Sequence, residues 1–285
     1  MSGPLLSLLA ALALVQAAPS GTAPGAPSPD LPAVPPPPPM AAPVARILIA
    51  SDSTAANYGA AAYPQMGWGM VLKCSLDPRV EVVNLARGGR STKTFIEEGL
   101  WAGLLEKLKP GDTVLIAFGH NDADRVKIVR FTDPKGAYTD NLTRFVADVR
   151  AAGGQPVLMT PIAKHVFAGD QVQETHGAYA QAVRTVANAT GAPLIDLDAD
   201  MMGAQQARGE AGSRGFYMIY MPQDHIARYP DGISDTTHIN EGGARLAAAL
   251  VAARLAALKL PVSAHVRPES TDYQPILGGP RCLGR

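Results

Sequence analysis

Residues 46–54 read Arg46-Ile47-Leu48-Ile49-Ala50-Ser51-Asp52-Ser53-Thr54. Four consecutive apolar residues with no polar alternation describe a strand buried on both faces, as in a parallel sheet covered by helices. The run then breaks into a turn rich in hydroxyls. The same grammar recurs at 81–85 (EVVNL), 113–118 (TVLIAF), 156–160 (PVLMT) and, in shorter form, 193–196 (PLID). Amphipathic stretches at about 67–76, 100–108, 139–152 and 176–190 separate these runs, and another at 242–258 follows the last. Gly153-Gly154 and Gly191 stand where helices end. In the final helix Leu246, Leu250 and Leu255 share a stripe, with Arg245 and Arg254 expected in solvent. Strand alternating with helix five times predicts a three-layer α/β/α domain on a five-stranded parallel sheet, spanning 44–266. In such sheets ligands bind beyond the carboxyl ends of the strands.

The chain has 285 residues, 47% hydrophobic and 18% charged, enough for one substantial core. Lys+Arg and Asp+Glu both number 25, which speaks against a nucleic-acid partner held by a basic surface. No run of eighteen apolar residues follows the first twenty positions, so a polytopic membrane protein is not expected. The apolar run at 4–15 leads into Val15-Gln16-Ala17, a small-residue pattern of the kind a signal peptidase cuts. A signal peptide at 1–18 and a secreted or periplasmic location are the expectation. The alternative is an uncleaved anchor, because no Lys or Arg precedes the apolar run. Residues 19–43, with a proline run from Pro35 to Pro39, read as a disordered, stiff spacer. Residues 267–285 form a tail. The two cysteines, Cys74 and Cys282, allow one disulfide or two separate thiols. No Cys/His cluster has zinc spacing, so neither metal nor cofactor is expected.

The chemistry collects at the strand ends. Ser51-Asp52-Ser53-Thr54 follows the first strand and Ala86-Arg87-Gly88-Gly89-Arg90-Ser91 the second. Gly119-His120-Asn121-Asp122 follows the third, and Asp235-Thr236-Thr237-His238 precedes the last helix. A serine hydroxyl is a weak nucleophile and needs a base. His238 can be that base for Ser53, and Asp235 three residues earlier can orient its ring, with Asp231 a nearby competitor. The oxyanion of acyl transfer needs preorganised donors. The backbone N–H of Ser53, that of Gly89 (or of Gly88) and the side-chain amide of Asn121 are the candidates. Singly, each block has a plain structural reading: Ser53 as a helix cap, Gly89 as a turn glycine, His238 as a surface histidine.

The ordered set Ser53, Gly89, Asn121, His238 resembles the SGNH (GDSL-type) hydrolase superfamily, and within it the rhamnogalacturonan acetylesterase-like carbohydrate esterases. Tyr63-Pro64, Gly67-Trp68-Gly69, Thr160-Pro161-Ile162-Ala163 and Tyr229-Pro230-Asp231-Gly232 also resemble that family's intervening segments, so the likeness covers about 46–258. It implies a flavodoxin-like fold and hydrolysis of acetyl esters on a pectic oligo- or polysaccharide. It also implies Ser53 as nucleophile, His238 as base, Asp235 as its partner, and Ser53, Gly89 and Asn121 as oxyanion donors. One departure stands out: the family's usual glycine before Asp-Ser is Ser51 here. Rival readings are a non-catalytic carbohydrate binder, or a lipase, thioesterase or acyltransferase on the same fold.

Around this site, Arg90 and Arg87 are candidates for meeting uronate carboxylates, against the alternative of a loop ion pair. His165 is a candidate for lining the substrate groove. Trp68 reads as core before sugar platform. His120 and Asp122 read as scaffold, and His176 and His225 as solvent-facing.

Overall fold

The computed structural model describes residues 42–267. The leader expected at 1–18, most of the spacer at 19–43 and nearly all of the tail at 267–285 lie outside the described residues. In chain order the elements are β1 (Ala45–Ser51), α1 (Trp68–Val71), β2 (Val80–Asn84), α2 (Thr92–Glu97), α3 (Leu100–Lys107), β3 (Thr113–Ala117), α4 (Ala137–Ala151) and β4 (Gln155–Met159). There follow a small hairpin of β5 (Phe167–Ala168) and β6 (Gln171–Val172), then α5 (Ala178–Thr190) and β7 (Leu194–Ile195). The chain continues through α6 (Leu197–Ser213, broken at Gly209), a second hairpin of β8 (Tyr217–Tyr220) and β9 (Ile233–Ile239), and α7 (Glu241–Ala257).

The central sheet has five strands in the order β2-β1-β3-β4-β7, every pair parallel. This is the flavodoxin-like α/β/α arrangement, whose strand order reverses between β1 and β3. The apolar runs are continuous because the pleat sends alternate residues to two separate cores. Ile47, Ile49, Leu115, Val157 and Met159 pack on one face with Trp68, Tyr217 and α7. Leu48, Ala50, Val114, Ile116 and Leu158 pack on the other with Phe95, Trp101, Phe145 and α5. Each of these larger side chains contributes about 1.5–3 kcal/mol by leaving water. Trp68 is wholly buried, so it is a core residue.

One expectation needs correction here. Arg245 does not face solvent; it is buried on α7, and its Nε and one terminal nitrogen donate to Glu241 Oε1 at 3.0 Å. The reason is that α7 is rich in Gly and Ala and packs closely against its neighbours, so most of its circumference is covered. An acidic residue one turn earlier compensates the buried charge. The segment 235–238, which precedes the last helix, lies within β9. The sequence also concealed α2 and α6. α2 is only six residues long and depends on a capping box between Ser91 and Thr94. α6 begins on an Asp196 cap, but its glycines and glutamines hide any apolar stripe.

Cys74 is disulfide-bonded, which answers for it the alternative of a separate thiol; the other cysteine of the sequence, Cys282, lies outside the described residues. Among the described residues no helix is long and apolar enough to cross a membrane.

Candidate active site

At the β1/β3 reversal the carboxyl ends of neighbouring strands diverge and leave a crevice. Ser51 pairs in register with Ala117, so the turns that follow, carrying Ser53 and Asn121, emerge side by side. Gly89 arrives from the end of β2 on the other side of β1. The Ser53 turn is locked from below: Asp52 is buried, and its Oδ1 accepts from the Thr54 amide at 2.9 Å and the Thr54 hydroxyl at 2.8 Å. Desolvation pushes the Asp52 carboxyl up from its ordinary value, against those two hydrogen bonds. Tyr58 adds a bond from its hydroxyl to the Ser53 carbonyl at 2.8 Å. Ser51 brings no strain. Its hydroxyl is fully buried and donates to the Ala117 carbonyl at 2.7 Å, occupying the space a glycine would leave open.

Asp235 and His238 come from β9, and an irregular strand places them. Met218 pairs with Asp235 and Tyr217 with Ile239, so residues 236–238 are extra and bulge out of the ladder. A bulge of this kind re-aims side chains. Asp235 Oδ1 accepts the backbone N–H groups of Thr237 and His238, both at 2.9 Å, which holds the bulge closed. Its Oδ2 lies 2.6 Å from His238 Nδ1, and His238 Nε2 lies 2.9 Å from Ser53 Oγ. The three side chains thus form one continuous line. Asp231 is not part of it.

The charges match the geometry. The hydrogen bond that the His238 ring donates to Asp235, together with the negative charge there, raises the His238 pKa above 6.5 despite the opposing effect of burial. Burial alone would push the Asp235 carboxyl up, but hydrogen bonds from the His238 ring and from the His238 and Thr237 amides outweigh it, leaving a pKa of about 2. Asp235 is therefore an ionised acceptor at neutral pH, and it holds the ring with its proton on Nδ1 and a lone pair on Nε2 facing Ser53.

Asn121 is buried, and one of its two amide protons is used by the Arg90 carbonyl at 2.9 Å. Among the described residues no acceptor takes the other proton. Among the described residues no protein acceptor takes the backbone N–H of Ser53, Gly88 or Gly89. Gly89 has φ +79°, which a side chain would strain, and Gly88 packs so near Ser53 that a Cβ on it would lie 3.6 Å from the Ser53 Cβ.

Of the three residues expected to meet substrate, Arg90 and His165 are otherwise engaged. Arg90 donates to Glu98 Oε2 at 2.9 Å and to the Gly88 carbonyl at 2.8 Å, so it is the loop ion pair and braces the glycine turn. His165 is buried, its Nε2 3.1 Å from both the Glu210 carbonyl and the Ser213 hydroxyl. Its backbone amide supports the β9 bulge by donating to Thr236 at 2.8 Å. His176, expected in solvent, is buried as well. Its Nδ1 lies 3.2 Å from Asp198 Oδ1 and its Nε2 3.2 Å from His120 Nδ1, a chain the sequence did not reveal because its members are 22 and 56 residues apart. Burial drives the His120 pKa well below 6.5, and the neighbouring His176 adds to this. Asp122 is scaffold: it accepts from the Thr92 amide and hydroxyl and from the Thr132 hydroxyl, and burial pushes its pKa up to about 7.

Among the described residues, Glu174, His176 and Asp198 bring ligand-type atoms within 4.8 Å of one another. Glu174 is taken up by the amides of His176 and Gly177, and the Arg184 guanidinium stands 3.6 Å from Asp198. A cation there would meet a positive charge already in place.

Comparison with known proteins identifies relatives of the chain. Residues 52–246 match the model of the GDSL-like lipase/acylhydrolase family. The chain is 35% identical over 222 residues to rhamnogalacturonan acetylesterase RhgT of Bacillus subtilis, covering 78% of this chain and 94% of that protein. It is 33% identical over 223 residues to the probable rhamnogalacturonan acetylesterase YesY of the same organism, covering 78% and 98%. Among solved structures, the fold is similar to that of the B. subtilis protein YxiM, with a TM-score of 0.63 at 24% identity over 74% of this chain and 56% of the other. It is also similar to the fold of an acetyl-xylooligosaccharide esterase of Geobacillus, with a TM-score of 0.53 at 16% identity over 75% and 94%.

Proposed function

The chain belongs to the GDSL-like lipase/acylhydrolase family and is a carboxylic ester hydrolase, and on that premise we propose that it is an exported carbohydrate acetylesterase acting on a pectic, rhamnogalacturonan-type polysaccharide. The observation that carries the chemistry is the Asp235–His238–Ser53 line, with contacts of 2.6 and 2.9 Å. Ser53 Oγ attacks the acetyl carbonyl carbon while His238 Nε2 takes the hydroxyl proton. The carbonyl π electrons move to oxygen, and the amides of Ser53 and Gly89 with the Asn121 side chain receive the oxyanion. As the tetrahedral centre collapses, the C–O bond to the sugar breaks and His238 returns its proton to the departing alkoxide. Water then enters with the roles reversed, its proton passing to His238 and on to Ser53 as acetate leaves. Asp235 stays ionised throughout and stabilises the imidazolium.

The pectic substrate is supported by the names of two relatives similar over most of the chain, and export by the apolar stretch at 4–15 with its small-residue end. The test is acetate release from acetylated rhamnogalacturonan by the wild type and by Ser53→Ala. The expected loss is at least about 10³-fold. Undiminished turnover by the variant would remove Ser53 from the chemistry.

A further inference from the structure

Between β2 and α2 the chain makes a tight turn. Arg87 opens it: its amide donates to the Ser51 carbonyl at 3.0 Å, and its own carbonyl accepts the Arg90 amide at 3.3 Å. Gly88 and Gly89 are the two central residues. Gly89 has φ +79° while Gly88 stays outside the positive region, which is the pattern of a type II turn. The type I alternative differs chiefly by a flip of the peptide between the two central residues. That peptide carries the Gly88 carbonyl on one edge and the Gly89 N–H, an oxyanion donor in the reading above, on the other. The two groups of a trans peptide point in opposite directions, so whatever fixes the Gly88 carbonyl also aims the Gly89 N–H. With glycine on both sides, little in the backbone itself opposes the flip.

Arg90 supplies the missing constraint. Its guanidinium donates to the Gly88 carbonyl at 2.8 Å and to Glu98 Oε2 at 2.9 Å. A charged donor on that carbonyl oxygen anchors the type II form, and it polarises the amide so that the N–H at the other edge donates more strongly. The Arg90 main chain is held as firmly. Its carbonyl accepts from the Asn121 side chain at 2.9 Å, and the N–H of the same peptide, that of Ser91, donates to Thr94 Oγ1 at 2.9 Å. The six-residue helix α2 thus brackets Arg90: its N-cap Ser91 fixes the peptide that orients Asn121, and its C-cap Glu98 fixes the guanidinium. Arg130, bound to Asp124 at 3.0 Å, donates to the next carbonyl, that of Gly89, at 3.4 Å.

We propose that Arg90 is the positioning residue of the oxyanion site: its guanidinium, anchored by Glu98, locks the Gly88–Gly89 peptide with its N–H toward the site, and its carbonyl sets the Asn121 amide. This rests on the acetylesterase reading above and deepens it. Arg90 touches neither substrate nor reacting atoms; it acts through two of the three oxyanion donors. Such a site works because its donors need no reorganisation as charge develops. A turn free to flip would for part of the time present a carbonyl oxygen, which repels an oxyanion, where the N–H is needed.

The test is hydrolysis of 4-nitrophenyl acetate, which makes no sugar contacts, by the wild type, Arg90→Gln, Arg90→Lys and Glu98→Gln. Arg90→Gln should lower kcat by about 10–10²-fold, less than outright loss of a donor, with KM changed less than about twofold. Arg90→Lys keeps a charged donor and should recover part of the loss. Glu98→Gln should lower kcat by a smaller factor, and it should add no further loss in the Arg90→Gln background, because it acts through the arginine. Glu98 is exposed at the end of α2, so this variant reports even where Arg90→Gln fails to fold. The second readout is the affinity of a small alkylboronic acid. Ser53 Oγ bonds to boron as its proton passes to His238, and an oxygen of the tetrahedral adduct takes the oxyanion position. That affinity should fall in step with kcat/KM, a response that a merely structural role would not produce. Unchanged kcat and boronic acid affinity in these variants, or a loss confined to KM, would overturn the role of Arg90 and leave the acetylesterase reading intact. A wild type that neither hydrolyses the ester nor binds the boronic acid would overturn both.

Discussion

The Met66 amide donates to the Ile239 carbonyl at 3.1 Å, and the adjacent Gln65 bridges Asn240. This contact ties the segment that follows Ser53 to the end of the strand that carries His238, 185 residues away along the chain. Asn240 is itself anchored. Its side chain caps α7 by accepting from Gly243 and donates to the Gly215 and Tyr217 carbonyls. The nucleophile and its base are therefore held together by backbone, not by their own hydrogen bond alone.

The first consequence concerns pH. His238 must be neutral at Nε2 to accept a proton, and Asp235 holds its pKa above 6.5. Activity should climb as pH rises through that raised value, with the acidic limb of kcat/KM centred above 6.5. Asp235→Asn should move the limb back toward 6.5 and lower kcat by about 10²–10⁴-fold. A limb that stays in place in the variant would mean that another group reports in the profile.

Asn121 supplies a neutral donor from the end of β3. Asn121→Ala should lower kcat by about 10²–10³-fold with a small change in KM, since the oxyanion exists only along the reaction path. Steady-state kinetics on a soluble aryl acetate, with circular dichroism to confirm folding, gives the answer. A loss confined to KM would assign Asn121 to ground-state binding.

Gly67 lies against the segment that follows the nucleophile. A Cβ there would sit 2.2 Å from the Ala56 carbonyl oxygen and 2.4 Å from the Ala55 carbonyl carbon, neither of which can retreat from the buried turn. Gly67→Ala should cost more than about 3 kcal/mol in urea unfolding. Gly59→Ala, whose Cβ meets nothing within 4 Å at an ordinary φ of −76°, should stay within about 0.5 kcal/mol.

Ser51→Gly, which restores the residue usual in the family, should destabilise this chain by about 1–2 kcal/mol. It strips the Ala117 carbonyl of its buried donor and frees the backbone in the unfolded state. Turnover of an aryl acetate should change less than about twofold, because the Ser51 hydroxyl points into the sheet.

The local sequence determined much of this protein. Apolar runs such as 46–50 and 113–118 announced strands covered on both faces, the ends of α4 and α5 were marked by glycines, and four polar blocks fell where an α/β sheet binds ligands. These features are legible because periodicity, capping and turn chemistry act over a few residues. What tertiary structure alone decided is which side chains are already spoken for. Arg87 and Arg90 are near neighbours of one type in the sequence, yet one is consumed by Glu98 and the other faces an open groove. His176 and Arg245 carried no mark of burial, and the line from Asp235 to Ser53 depends on a bulge closed against β8. Hydrogen bonding and desolvation depend on distances between segments remote in sequence, so the partner of a polar group is settled only when the sheet and its flanking helices are assembled.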